Sequence, residues 1–279
     1  LYDVQFDLID TSFSKYILFT PRHLNQKSST IKSNGSFPVI LDRNGYVAMY
    51  YKTKNPRSAM FQYFEDLNQF SITHINGVTP TYFILNDKFE VIDSVQNSPG
   101  MNTEGHEYQL LPNGNAIIAG TSYDTVDLSG LNIGGSPGLD STVLRGFVIE
   151  ELDANNNLVF QWNSNDYVSP TETNLLNGYN QQNFDYCHGN AIEKDSNGDF
   201  YVSFRNTSSI YKINGTNGDV IWKLGGTNSS FTFSNDSGFS AQHDVRILPN
   251  GNLTLFDNGN TKQTPKYSRS IELELNTTT

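Results

Sequence analysis

The sequence predicts an all-β fold, a β-propeller of four-stranded antiparallel blades. Three observations predict it. Runs of four to seven residues rich in Val, Ile, Phe and Tyr alternate with Asn/Asp/Gly turns along the 279 residues. These runs come as pairs of hairpins, and the pairs recur. Two tryptophans, Trp162 and Trp222, each end the fourth strand of a copy. A WD40 arrangement is excluded because the Trp-Asp pairs are missing. A β-solenoid would want shorter and more regular periods.

The copies follow in order. An early, weaker one runs Phe37–Leu41, turns at Asn44-Gly45, returns through Tyr46–Tyr51, and resumes at Tyr82–Leu85 and Phe89–Ile92. Ser58–Leu67 interrupts it and is the best helical candidate in the chain. The next copy opens with His106–Leu111, turns at Pro112-Asn-Gly114, and returns through Asn115–Ile118. Its second hairpin is Phe147–Asp153 and Leu158–Trp162. A third copy starts at His188. There Ala191 and Ile192 begin a strand, Asp195–Asp199 is the turn with Gly198 taking positive φ, and Phe200–Phe204 returns. Ile210–Ile213 and Asp219–Leu224 complete it. The fourth copy has His243–Leu248, a turn at Pro249-Asn-Gly251, Asn252–Phe256 and Ser270–Leu275.

That last copy lacks a fourth strand. Leu1–Ile9 or Tyr16–Phe19 would supply it, or the native chain continues beyond Thr279. Continuation is the expectation, because Asn276–Thr279 closes a ring poorly. Residues 1–279 read as one propeller domain, and the abrupt Leu1-Tyr2-Asp3 start reads as processed or trimmed. Ser122–Arg145 and Asn163–Phe184 read as long loops on one face, where binding residues concentrate.

Composition narrows the function. With 18 Phe and 15 Tyr, a large core is available. The net charge is −11 and no Lys/Arg-rich run occurs. Nucleic acid and anionic membrane surfaces are therefore excluded as partners. No apolar run approaches the ~20 residues of a spanning helix, so no membrane insertion is expected. A single cysteine, Cys187, rules out an internal disulfide framework and a cysteine-rich zinc site. Asn-x-Ser/Thr sequons at Asn206, Asn214, Asn228 and Asn252 are the chance product of an Asn/Ser/Thr-rich chain.

His106, His188 and His243 hold one place in three successive copies, the entrance of the first strand. Gly114 and Gly251 each follow their histidine by eight residues, and Gly198 follows His188 by ten. First strands of a propeller surround its axis, so three of the five histidines meet at one channel mouth. His23 and His74 fall outside the pattern. A histidine at a strand entrance is ordinarily a packing residue. Here the early copy has Pro38 near the matching place, so the fold does not demand histidine. Arg205 lies at the exit of the strand after the His188 hairpin and is not repeated. A buried arginine beside several histidines wants an anion. Three histidines also suit a zinc ion, but Arg205 beside it and the lack of a recurring carboxylate argue against metal.

Several stretches carry a family resemblance. They are His106 with Leu-Leu-Pro-Asn-Gly-Asn115, CHGNAI from Cys187, SFRN from Ser203 and WKLGG from Trp222. QHD at Gln242, LPNGN and FDNG up to Gly259 complete the set. Together they resemble the bacterial arylsulfate sulfotransferases over roughly residues 36 to 275, most strongly from His188 to Gly259. The resemblance implies a six-bladed propeller, incomplete in this chain, exported to the periplasm or cell surface. It implies transfer of a sulfuryl group from a phenolic sulfate ester to a phenolic acceptor, with no nucleotide donor and no cofactor. By motif position His243 is similar to the family's transiently sulfated nucleophile. His106, His188, Asn190 and Arg205 are similar to the groups that hold the sulfuryl oxygens.

The chemistry of the residues points the same way. An aryl sulfate carries one negative charge over three oxygens. A neutral imidazole is a competent nucleophile at sulfur, and the N–S bond is labile enough to pass the group on by ping-pong kinetics. Arg205 offers a planar fork of donors. His188 or His106 suits the departing phenolate oxygen. Two other classes use the same scaffold: a non-catalytic cell-surface propeller that binds glycans or proteins, and a hydrolase or lyase acting on an anionic sugar.

Overall fold

The computed structural model describes residues 16–20, 38–51, 58–76, 79–133, 136–175, 180–262 and 266–277. They form a β-propeller of five blades, each an antiparallel sheet of three to five strands. The first blade is Tyr16–Phe19, Val39–Asp42 and Val47–Tyr50. The second is Ser58–Phe64, Gln69–Asn76, Thr79–Leu85 and Val91–Val95. In the third, Asn102–Leu110, Ala116–Val126, Thr142–Leu152 and Leu158–Asn163 lie in order, and Asn183–Phe184 adds a short parallel pairing. The fourth is Gly189–Lys194, Phe200–Phe204, Ser209–Ile213 and Val220–Gly225. The fifth is His243–Ile247, Leu253–Asp257 and Arg269–Leu273.

Four expectations need correction. Ser58–Leu67 is not a helix: it is a strand through Phe64 followed by a 3-10 turn, Glu65–Leu67. Its aromatic residues pair across the sheet, Phe61 with Ile72 and Tyr63 with Phe70, and this pairing overrides local helix propensity. The early copy is consequently two blades, not one. Tyr16–Phe19 pairs with Val39–Asp42 in the first blade, so it does not complete the last. Ser122–Arg145 is not all loop. The strands run on to Val126 and resume at Thr142, in unbroken register from Thr142↔Val126 to Leu152↔Ala116. Leu1–Ile9 and His23 lie outside the described residues.

The turns repeat one device. Asp42, Asn86, Asp153 and Asp195 each accept, through Oδ1, the backbone N–H groups two and four residues on. Such Asx turns replace backbone hydrogen bonds that the chain loses as it reverses. Gly198 has φ +90°, as its turn position requires.

Blades pack face to face through three apolar clusters. Phe147, Phe184, Tyr186, Phe200, Phe204 and Trp162 fill the space between the third and fourth blades. Tyr82, Tyr108 and Ile118 join the second to the third. Ile210, Leu224, Phe239, Val245 and Leu255 join the fourth to the fifth. Each fully buried side chain of this size contributes about 1.5–3 kcal/mol. Trp162 and Trp222 stand on outer strands, as the repeat requires. Trp162 also donates its indole N–H to the Gly218 carbonyl of the next blade (3.0 Å).

Candidate active site

Three inner strands carry the site, and each is irregular where its histidine sits. Pairing slips between Thr103 and Tyr108 around His106, between Gly189 and Ala191 just after His188, and between His243 and Arg246. Bulges of this kind bend a strand and re-aim its side chains. The backbone is strained in the same places. His188 has φ +52°, and Ala241 and Asp244, flanking Gln242-His243, have +51° and +60°. Non-glycine residues hold such angles only where their surroundings over-determine them. Around Gln242 they do. Its fully buried amide donates to Ser203 Oγ, the Phe204 carbonyl and the Ser209 carbonyl.

The three predicted histidines come together. The rings of His106 and His188 are 5.5 Å apart between centroids, nearly perpendicular at 73°. His106 and His243 are 6.5 Å apart. Each ring is gripped at Nδ1. His106 Nδ1 donates to the Glu104 carboxylate at 2.7 Å, and His188 Nδ1 to Asp185 at 2.5 Å. His243 Nδ1 donates to Asn258 Oδ1 at 2.8 Å and to the Ala241 carbonyl at 3.2 Å. Nε2 is then the ring nitrogen each residue has left for substrate.

The partners set two kinds of imidazole. The hydrogen bond to Glu104 raises the pKa of His106 against the opposing effect of burial. Burial lowers that of His243, and the neighbouring charges of His106 and His188 add to it. His243 is accordingly neutral at neutral pH, with Nδ1 protonated and a lone pair on Nε2. Burial works against charge on Glu104 and Asp185 too, but their hydrogen bonds to histidine outweigh it and hold both carboxyls below the ordinary range.

Arg205 and Asn190 are also at this end of the fourth blade. The Arg205 backbone N–H donates to the His188 carbonyl (2.9 Å), and its half-buried guanidinium donates to Asn206 Oδ1 (2.7 Å). Among the described residues Arg205 makes no ion pair with a carboxylate. Asn190 is buried, and one amide hydrogen is committed to the Gln242 carbonyl at 3.0 Å, beside His243. Its Oδ1 is buried without a partner among the described residues.

Four contributors were not singled out from the sequence: Glu104, Arg145, Asp185 and Asn258. Arg145 bridges the carboxylates of Glu104 (3.5 Å) and Asp185 (3.1 Å). Asp185 lies three residues before His188, and Asn258 sits in the FDNG stretch, so both carried a local signal. Among the described residues no group of three or more His, Cys, Asp or Glu side chains is arranged to hold a metal ion.

Comparison with known proteins agrees with this architecture. No curated protein sequence matches the chain. Among solved structures, a protein of unknown function from Bacteroides caccae is similar with a TM-score of 0.50 at 13% identity, over 95% of this chain and 70% of that one. Virginiamycin B lyase from Staphylococcus aureus gives a TM-score of 0.42 at 11% identity, over 92% of this chain and 74% of that one. At such identities the first shows the fold alone. The sequence itself is more specific: residues 82–279, which carry all three site histidines, match the arylsulfotransferase (ASST) model, and the chain belongs to that family.

Proposed function

We propose that this protein is an arylsulfate sulfotransferase that works through a sulfohistidine at His243. The observation that carries the reading is the fixed tautomer of His243. Two carbonyl oxygens hold its Nδ1–H, and burial keeps the ring neutral. In the first half-reaction Nε2 attacks sulfur, the aryl S–O bond breaks, and the phenolate oxygen takes a proton from a neighbouring imidazolium. His243 then carries the sulfuryl group on Nε2. In the second half-reaction an acceptor phenol returns a proton to that imidazole as its oxygen attacks sulfur and the N–S bond breaks. Charge and protons balance over the cycle.

Arg205 suits the sulfuryl oxygens. Its guanidinium is half-buried and, among the described residues, pairs with no carboxylate, so an anion completes its electrostatics. Asn190 ties the fourth blade to the residue before His243 and thereby steadies the nucleophile. The test is incubation with p-nitrophenyl sulfate, with and without phenol. Release of p-nitrophenol that depends on phenol supports transfer. Release without phenol identifies a hydrolase, and no release identifies a binding module.

A further inference from the structure

We propose that Arg145, through Glu104 and Asp185, is a positioning residue that joins His106 and His188 into one unit and limits the positive charge on it. The inference rests on the sulfotransferase reading for its purpose, but not for its geometry.

Five side chains stand in series: His106, Glu104, Arg145, Asp185, His188. Their contacts are 2.7, 3.5, 3.1 and 2.5 Å. They come from three separate segments. Glu104 and His106 are on the inner strand of the third blade. Arg145 is on Thr142–Leu152 of the same blade, opposite Tyr123. Asp185 follows Phe184, which pairs in parallel with Leu144. That parallel pairing brings Asp185 beside Arg145. The arrangement is thus built by the long hairpin and the short fifth strand of the third blade.

Charge counting gives the series its meaning. With both rings neutral, two carboxylates and one guanidinium sum to −1. A single imidazolium neutralises the set. Without Arg145 the sum is −2, and a second proton is drawn in. Transfer in two steps needs a proton donor when the first phenolate leaves and a proton acceptor when the second phenol attacks. A unit holding one proton serves both steps. A unit that starts with two still has an emptied imidazole for the second step, but without the guanidinium each imidazolium is a weaker acid toward the departing phenolate. The charged and titratable groups facing His106 are Glu104, Arg145, Asp185, His188 and His243, and among them Arg145 opposes its protonation while Glu104 and Asp185 favour it.

The experiment is a ¹⁵N NMR titration of the His106 imidazole in the full chain, without substrate, in wild type, Arg145→Gln, Arg145→Lys and Asp185→Asn. Removing the guanidinium should raise the His106 midpoint, and Arg145→Lys should restore it. Asp185→Asn should lower it, although Asp185 hydrogen-bonds His188 and not His106. In single-turnover kinetics, Arg145→Gln should slow the first release of phenol about tenfold, because a raised imidazolium pKa makes a weaker acid, and slow desulfation of the protein by phenol less. A His106 midpoint unmoved in folded Arg145→Gln overturns the proposal. If that variant does not fold, an unmoved midpoint in Asp185→Asn overturns it equally. The titration needs no sulfate ester. Shifts in the expected directions from a protein that transfers no sulfuryl group would therefore remove the sulfotransferase reading and leave the coupling standing.

Discussion

The Nδ1 nitrogen of His243 lies 2.8 Å from Oδ1 of Asn258, and Asn258 follows the most heavily held carboxylate of the fifth blade. Asp257 is fully buried. It accepts backbone N–H groups from Ser240 and Gly259 and side-chain donors from Lys262 and Arg269. The Asn258 carbonyl therefore stands on a rigid base, and a rigid acceptor selects one tautomer of His243. Asn258→Leu should lower kcat about 10- to 100-fold with little change in KM, as loss of an orienting partner of an imidazole does elsewhere. Asn258→Asp keeps an acceptor but adds a negative charge, which raises the His243 pKa. Its activity should fall at neutral pH and recover as pH rises. A pH–rate profile identical to wild type in Asn258→Asp would count against His243 as the titrating nucleophile.

Glu107 predicts the pH dependence of stability. It is fully buried one residue after His106, accepts from the Ile192 N–H and from Arg246, and burial pushes its pKa up to about 7 despite Arg246. A carboxyl whose pKa rises on folding stabilises the protein most below its unfolded value. That contribution is lost as pH climbs through the folded value. Glu193, raised by burial, and His106, raised by Glu104, act in the same direction, whereas His243 acts in the opposite one. Wild type should lose stability between pH 5 and 8, with about 3 kcal/mol of the change from Glu107. Thermal melts of Glu107→Gln should show a flatter profile across that range. An unchanged slope would place the carboxyl outside the titration.

Gly189 shows why the CHGN run needs its glycine. A Cβ built there would lie 2.2 Å from the Phe147 ring, which is itself buried in the core between the third and fourth blades. Gly189→Ala must displace that ring or the strand entrance that carries His188. We expect a loss of about 1–3 kcal/mol, as for other overpacked cores, and reduced turnover from the shifted His188. A melting temperature within error of wild type would show that the core yields there.

The guanidinium geometry of Arg205 can be separated from its charge. Arg205→Lys keeps the charge and loses the two-point grip on paired oxygens. Most transfer activity should disappear while the circular dichroism spectrum and melting temperature hold. Near-normal turnover would count against the anion-clamp role.

How much of this was legible in the sequence follows from how each feature is built. His106, His188 and His243 were legible because each stands a short, fixed distance ahead of its hairpin turn, so local spacing fixes the repeat position and the fold supplies the convergence; His106 itself sits within the strand Asn102–Leu110, not at its entrance. Arg145 was not, because its place depends on the register of an eleven-residue hairpin arm and on a parallel pairing with Asn183–Phe184. Neither leaves a local pattern. Ser58–Leu67 misled for a related reason. Ala, Met, Gln and Glu favour a helix, and only the partner strand Gln69–Asn76, with its aromatic pairs, decides otherwise. Reading that segment as an interruption merged two blades into one copy. Asn258 was visible within FDNG but had no stated role, because its partner His243 lies fifteen residues earlier across a strand pair.

The decisive prediction concerns His243 itself. Of the three rings, it alone is held at Nδ1 by neutral carbonyl oxygens. His106 and His188 are held by carboxylates. The carboxylate of Glu104 favours an imidazolium at His106, which donates and cannot attack. An amide carbonyl leaves the ring neutral and nucleophilic. His243 should therefore be sulfated during turnover, and the other two should not. His243→Asn should abolish transfer, because an amide cannot take up and release the group. His106→Asn and His188→Asn should each retain a residual rate, since loss of one donor to a developing oxyanion costs on the order of a hundred- to a thousandfold. The measurement is to mix protein with p-nitrophenyl sulfate alone, quench in alkali where a sulfo-imidazole survives, and map the added mass by peptide. Label on His106 or His188 would reassign the nucleophile. A burst of p-nitrophenol with no protein-bound sulfate, in a quench shown to preserve a sulfo-imidazole standard, would remove the covalent intermediate and leave direct transfer between two bound phenols.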